Sequence, residues 1–274
     1  MWLDGRLVDA ADARISVLDH GLTVGDGVFE TMRAYGGRPF AVGRHLERLA
    51  ASAAGLRLAL PPAVVLTEAI ADVLASNGIV DGVVRVTVTG GAGPMGSARG
   101  DADPTVIVVA TDLAFWPPRS PTADVAVVPW PRNERGALSG LKSVSYGENV
   151  VALAWARDRG AHEGLFPNLA GKLCEGTSTN VFVAIGGRLH TPPLTAGCLA
   201  GVTRQLVIET SEVVERDLSL GDLAAAEEAF LTSSTREVQA IRAVDGTPLP
   251  AAPGPLTQEA AEAFSALIVA DLDP

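Results

Sequence analysis

Leu173-Cys174-Glu175-Gly176-Thr177-Ser178-Thr179-Asn180-Val181-Phe182 is the most informative stretch of this chain. An apolar strand end runs into an acid, then a glycine, then three consecutive hydroxyl residues, before a second apolar run begins. A carboxylate placed beside a glycine and hydroxyls can hold a cationic nitrogen, although an ordinary strand-end acid looks the same when taken alone. About thirty residues upstream lies Leu138-Ser139-Gly140-Leu141-Lys142-Ser143-Val144-Ser145-Tyr146. Downstream, Leu199-Ala200-Gly201-Val202-Thr203-Arg204 opens a helix, and the first N–H groups of a helix form a ready site for phosphate. Many helices start with glycine and threonine, so that signal is weak by itself. Thr232-Ser233-Ser234-Thr235 then sets four hydroxyls at a strand end, which could equally be a polar turn.

The lysine matters because lysine is scarce. It occurs only at positions 142 and 172, so nineteen of the twenty-one basic residues are arginine. Arginine meets most needs for positive charge but cannot lose its proton and attack a carbonyl as an amine. Lys142 has small and apolar neighbours and no nearby carboxylate in sequence, surroundings that favour the neutral amine a Schiff base needs. Lys172, in Leu169-Ala170-Gly171-Lys172, reads as part of a solvated turn between strands.

Composition narrows the class. Hydrophobic residues make up 47% and charged residues 19% of 274 residues, which is globular. A net charge of -11 with no Lys/Arg-rich run argues against a nucleic-acid partner. No apolar stretch is long enough to span a bilayer, and Met1-Trp2-Leu3-Asp4 opens no signal peptide, so a cytoplasmic enzyme is expected. Cys174 and Cys198 make no disulfide framework, and His20, His45, His162 and His190 show no metal-ligand spacing, so no metal is expected.

The pattern along the chain is α+β. Asp4-Gly5 signals a hairpin, residues 28–35 a strand ending at Gly36-Gly37, and 42–54 a helix with Leu46, Leu49, Ala50 and Ala53 on one face and Gly55 as its stop. A helix over 62–76 and strands at 83–89 and 105–111 follow, with a glycine-rich, mobile loop over 90–96 between the strands. Residues 113–121 read as a linker between a small domain (1–112) and a larger one (122–274). The larger domain should hold strands at 124–129, 165–166, 173–175, 180–185 and around 213 and 230. Helices are expected over 148–159, from near 201, and over 256–270.

Taken in order, these pieces resemble the class IV aminotransferases, the fold type IV pyridoxal-phosphate enzymes. The likeness covers nearly the whole chain: Gly25-Asp26-Gly27-Val28-Phe29-Glu30, His45-Leu46-Glu47-Arg48-Leu49, Lys142-Ser143, Glu175 to Phe182, Gly201-Val202-Thr203-Arg204, and Thr232 to Glu237. The resemblance implies pyridoxal 5'-phosphate held between the two domains, bound covalently by Lys142, which also shuttles the substrate α-proton. It implies Glu175 on the pyridine nitrogen, and Arg48, the N–H groups of Val202 and Thr203, and the Ser234 hydroxyl on the phosphate. Leu199 would pack on the ring, and Phe29, Arg99 and Thr235 would line the substrate side. Tyr146 lies four residues after the lysine, where the branched-chain enzymes have a tyrosine at five. A homodimer is implied, the 90–100 loop of one subunit closing its neighbour's site.

Three reactions share this machinery. A D-amino-acid transaminase comes first, with Lys142-Ser143 and Thr232 to Glu237 matching well. Phe29 stands where that enzyme has a tyrosine, and the 90–100 loop lacks its histidine, so the weak carboxylate clamp would also admit an (R)-amine. An aminodeoxychorismate lyase making 4-aminobenzoate comes second, on Phe29 to Arg33 and Arg132-Asn133. Branched-chain transamination comes third, because Ser143-Val144-Ser145 lacks the glycine pair of those enzymes.

Overall fold

A computed structural model describes residues 1–115 and 120–274. The chain divides into two compact units: residues 1–118 with 141–145 and 271–274, and residues 119–140 with 146–270. The linker expected over 113–121 falls in part on residues 116–119, outside the described residues. A division read along the chain misses the two short segments, 141–145 and 271–274, that join the first unit from later in the sequence.

The first unit is a six-stranded antiparallel sheet with helices on one face. Its elements are β1 (Trp2–Leu3), β2 (Arg6–Leu7), α1 (His20–Thr23), β3 (Gly27–Tyr35), β4 (Arg38–Pro39), α2 (Val42–Gly55), α3 (Ala63–Ser76), β5 (Gly82–Thr89) and β6 (Thr105–Asp112). The strand order is β2-β1-β6-β5-β3-β4. Strand side chains alternate between faces, so Val28, Met32, Val84, Val86, Val88 and Val108 meet Leu49, Leu66, Ile70 and Val73 of the helices in one core. Phe29, Thr31, Arg85 and Thr87 therefore stand on the opposite face.

Gly55 does end the helix, but not as a left-handed cap. It is the last residue of α2, and a Cβ there would come within 2.7 Å of the Leu141 side chain. Glycine is needed for the close approach of segment 141–145 rather than for a left-handed cap. The 90–96 stretch has no regular structure but is well anchored: Gly91 O accepts from the His20 N–H at 2.8 Å, and the Gly93 N–H donates to Leu18 O at 3.0 Å.

The second unit is a nine-stranded mixed sheet. It contains β7 (Thr122–Val127), α4 (Gly147–Arg157), β8 (Glu163–Pro167), β9 (Leu173–Gly176), β10 (Asn180–Ile185), β11 (Arg188–Thr191), α5 (Val202–Thr210), β12 (Val213–Glu215), α6 (Leu220–Ala224), β13 (Glu228–Ser233), β14 (Glu237–Val244), β15 (Thr247–Pro248) and α7 (Pro255–Ala270). The order is β12-β11-β10-β13-β14-β7-β8-β9, with β15 on β14. Leu165, Leu173, Val181, Val183, Leu231 and Ile241 form its core, and the Phe182 and Phe230 rings stack at 4.7 Å. No helix among the described residues is long and apolar enough to cross a membrane.

Candidate active site

In the first unit, β3 pairs with β4 only at its far end, through Ala34 and Tyr35. Its near end is left open, and segment 141–145 pairs there instead. The Phe29 N–H donates to Lys142 O at 3.0 Å, and the Val144 N–H donates to Gly27 O at 2.9 Å. The Lys142 N–H is held from α2 by Ser52 Oγ at 3.1 Å. Backbone pairing thus fixes the base of the Lys142 side chain on a sheet edge. Its Nζ lies 4.4 Å from the centre of the Phe29 ring, and the Arg85 guanidinium lies 3.7 Å from the same centre.

Arg48 lies one turn after His45 on α2, and both reach a single acid on β3. Glu30 takes Arg48 Nε and Nη2 in a two-pronged fork, each at 2.7 Å, and His45 Nδ1 lies 2.7 Å from its Oε2. Full burial would raise the Glu30 carboxyl, but the Arg48 charge and the Arg48 and His45 hydrogen bonds outweigh it and bring the pKa down to about 2. Burial pushes His45 below its ordinary value against the pull of Glu30.

Arg99, expected on the substrate side, is committed within its own chain. Its Nε and Nη2 bind the Asp26 carboxylate at 2.6 and 2.5 Å, and Nη1 and Nη2 donate to the carbonyls of Arg57 and Leu56 at 2.5 and 2.8 Å. Four of its five N–H donors are taken. The same Arg99 hydrogen bonds hold the Asp26 carboxyl below its ordinary value.

In the second unit, Glu175 is the next-to-last residue of β9 and both its oxygens are engaged. The Leu199 N–H donates to Oε2 at 2.9 Å, and Arg132 Nε stands 3.1 Å from Oε1. Leu199 O accepts from Asn180 Nδ2 at 2.9 Å and from the Gly201 N–H at 2.8 Å. Gly201 is the N-cap of α5 and has no side-chain cap, so the N–H groups of Val202 and Thr203 are not used by a capping side chain. A Cβ at Gly201 would fall 2.0 Å from Asn180 Oδ1, so only glycine lets the helix start pass this close. Ser234 and Thr235 lie in the turn between β13 and β14. Tyr146 is the N-cap of α4. Lys172 lies in the β8–β9 turn, its N–H on Asn168 Oδ1 at 2.9 Å.

Arg85, Glu30, Asn149 and Glu163 were not singled out from the sequence, and Arg132 was noted there only as a lyase-like feature. Glu30 sits inside a quoted motif, but no local spacing pairs it with Arg48. Among the described residues no group of three or more His, Cys, Asp or Glu could hold a metal ion.

The pattern of the amino-transferase class IV family matches residues 27–244, four fifths of the chain, a span that includes Phe29, Arg48, Lys142, Glu175, Gly201 and Ser234. The chain belongs to that family. It is 34% identical to a putative branched-chain-amino-acid aminotransferase of Methanocaldococcus jannaschii, over 90% of this chain and 88% of the relative. It is 31% identical to the D-alanine aminotransferase of Listeria innocua, over 89% and 87%. The crystal structure of Escherichia coli branched-chain amino acid aminotransferase superposes with a TM-score of 0.92 at 29% identity, covering 97% of this chain and 93% of that one. The cofactor of this class IV aminotransferase is pyridoxal 5'-phosphate. Within each unit taken by itself the residues fit its chemistry: the first has an amine fixed on a strand edge by backbone pairing, and the second has a carboxylate, Glu175, whose neighbour in space, Leu199, leads into an uncapped helix start.

Proposed function

We propose that this aminotransferase exchanges an amino group between amino acids with apolar, branched side chains and a 2-oxo diacid. The carrying observation is the Phe29 ring, which has the Lys142 amine at 4.4 Å and the Arg85 guanidinium at 3.7 Å. An apolar wall beside the amine suits an aliphatic side chain, and an exposed cation on the same ring suits the second carboxylate of the acceptor. The branched-chain names of relatives at 34% and 28% identity support this reading. It moves ahead of the D-amino-acid reading that the sequence ranked first, because Arg99 is tied to Asp26 rather than available as a carboxylate clamp. The D-alanine relatives, 31% and 30% identical, keep D-alanine as the second reading.

Bound pyridoxal phosphate supplies a carbonyl that condenses with amines and a ring that takes up the electron pair left when the α-proton departs. Within this reading, Lys142 Nζ holds the cofactor and moves that proton, and Glu175 keeps a proton on the ring nitrogen. The N–H groups of Val202 and Thr203, with Arg48 and Ser234, bind the phosphate, and Leu199 covers the ring. L-leucine, D-alanine and aminodeoxychorismate, each mixed alone with the yellow enzyme, separate the possibilities. L-leucine should bleach the visible band, and 2-oxoglutarate should restore it; Arg85→Ala should raise the KM for 2-oxoglutarate far more than for leucine. Bleaching by D-alanine alone would establish the second reading, and release of 4-aminobenzoate and pyruvate would establish a lyase.

A further inference from the structure

Glu163, the first residue of β8, is fully buried, and an acid without water must find its partners inside the protein. It finds five, all donors. Oε1 accepts from the Thr177 N–H at 3.0 Å, the Gly164 N–H at 3.2 Å and the Thr177 hydroxyl, while Oε2 takes the Ser178 hydroxyl at 3.2 Å and Arg236 Nη2 at 3.1 Å. These donors come from two separate turns. Thr177 and Ser178 directly follow Glu175-Gly176. Arg236 closes the β13–β14 turn that contains Ser234, and its own N–H donates to Ser233 Oγ at 3.1 Å.

The connection continues on the far side of Thr177. Its carbonyl accepts from Asn149 Nδ2 at 2.5 Å, and Asn149 Oδ1 accepts from Arg132 Nη1 at 3.1 Å. Arg132 Nε then stands 3.1 Å from Glu175 Oε1. A polar chain therefore runs from Ser233 through Arg236, Glu163, Thr177, Asn149 and Arg132 to Glu175, its last step an ion pair and not a hydrogen bond. Its two ends are the turn that presents a hydroxyl to the phosphate and the acid that faces the ring nitrogen.

We infer that Glu163 is a positioning residue for the cofactor, holding the Ser234 turn and the Glu175 carboxylate at a fixed separation. This rests on the assignment of Glu175 and Ser234 to pyridoxal phosphate. Glu163→Gln keeps the shape but turns an NH2 toward donors, so Arg236 loses its anionic partner and the two turns lose their common anchor. A merely structural acid would affect melting alone.

The test is titration of apoenzyme with pyridoxal 5'-phosphate, read by absorbance and fluorescence quenching, beside thermal melting of the same samples. Glu163→Gln and Arg236→Gln should each weaken cofactor affinity about 10- to 100-fold, the loss typical of one charged hydrogen bond. The double variant should be no weaker than the weaker single one, because both act through one contact. Arg236 is partly exposed, so Arg236→Gln carries the test if Glu163→Gln does not fold. Unchanged affinity with only a lowered Tm, or losses that add fully in the double variant, would overturn the inference. Ser234→Ala in parallel keeps the two failures apart: if it too leaves affinity unchanged, the phosphate assignment is at fault.

Discussion

Glu30 illustrates how much one buried charge pair asks of its surroundings. The carboxylate is fully buried and is offset by a forked arginine and a histidine, so removing its charge leaves Arg48 stranded. Breaking such a pair from one side typically costs about 3–5 kcal/mol. Glu30→Gln should therefore lower the unfolding free energy by that order at pH 7 and, on the role proposed for Arg48, weaken binding of the cofactor phosphate. The pH dependence has a definite sign. The folded carboxyl titrates near 2 and the unfolded one near 4.5, so the contribution is full above pH 4.5 and fades as pH falls toward 2. Urea unfolding of wild type and Glu30→Gln across that window should show the gap closing. A constant gap would mean that shape, not charge, is what Glu30 provides. The thiols follow the opposite logic: burial pushes Cys174 far up and Cys198 to about 12, so neither has thiolate character at neutral pH.

At the scale of elements, the decisive piece is not a helix or a strand but the five-residue segment 141–145. Its pairing with the open end of β3 sets where Lys142 begins, and Ser52 on α2 is its third support. Ser52 is buried, and its replacement by alanine leaves the Lys142 N–H without its acceptor, at a cost of about 1–3 kcal/mol. Ser52→Ala should reduce kcat more than it raises the KM for either substrate, since Ser52 supports the lysine and not the substrate pocket. Equal melting temperatures and equal kcat would show that the strand pairing alone suffices. Much of this level was legible beforehand. The helices over 42–55, 63–76 and 255–270 and the strands of the first sheet were visible in periodicity, as was the family itself, from the order of lysine, acid, helix start and hydroxyls. What stayed hidden was β14 running parallel to β7, the short α6 with its Ser219–Asp222 capping box, and the close approach of Leu141 to Gly55 at the end of α2. Arg85, Asn149 and Glu163 escaped for the same reason, because their partners lie at other places in the sequence.

At the scale of the whole molecule, one feature asks for a partner. On α1 and the residues flanking it, Ile15, Val17, Leu18, Leu22 and Val24 are 44–76% exposed, and Met95 of the neighbouring loop is 84% exposed. Single exposed apolar residues are ordinary, but six on two hydrogen-bonded segments form a patch of the kind that marks an interface. Self-association is the occupant we favour, in keeping with the homodimer implied by the resemblance. The patch also adjoins the Asp26–Arg99 pair, so covering it would shield that pair from water and salt. Light scattering should therefore find two 28.2 kDa chains per particle. Val17→Asp together with Leu22→Asp should give single chains with unchanged far-ultraviolet circular dichroism, because both side chains are exposed and outside the core. Turnover should fall with the dimer and return in part at high protein concentration, where mass action restores association. A wild-type monomer with full activity would remove the dimer, and a doubly substituted protein that stays dimeric would move the interface to another face.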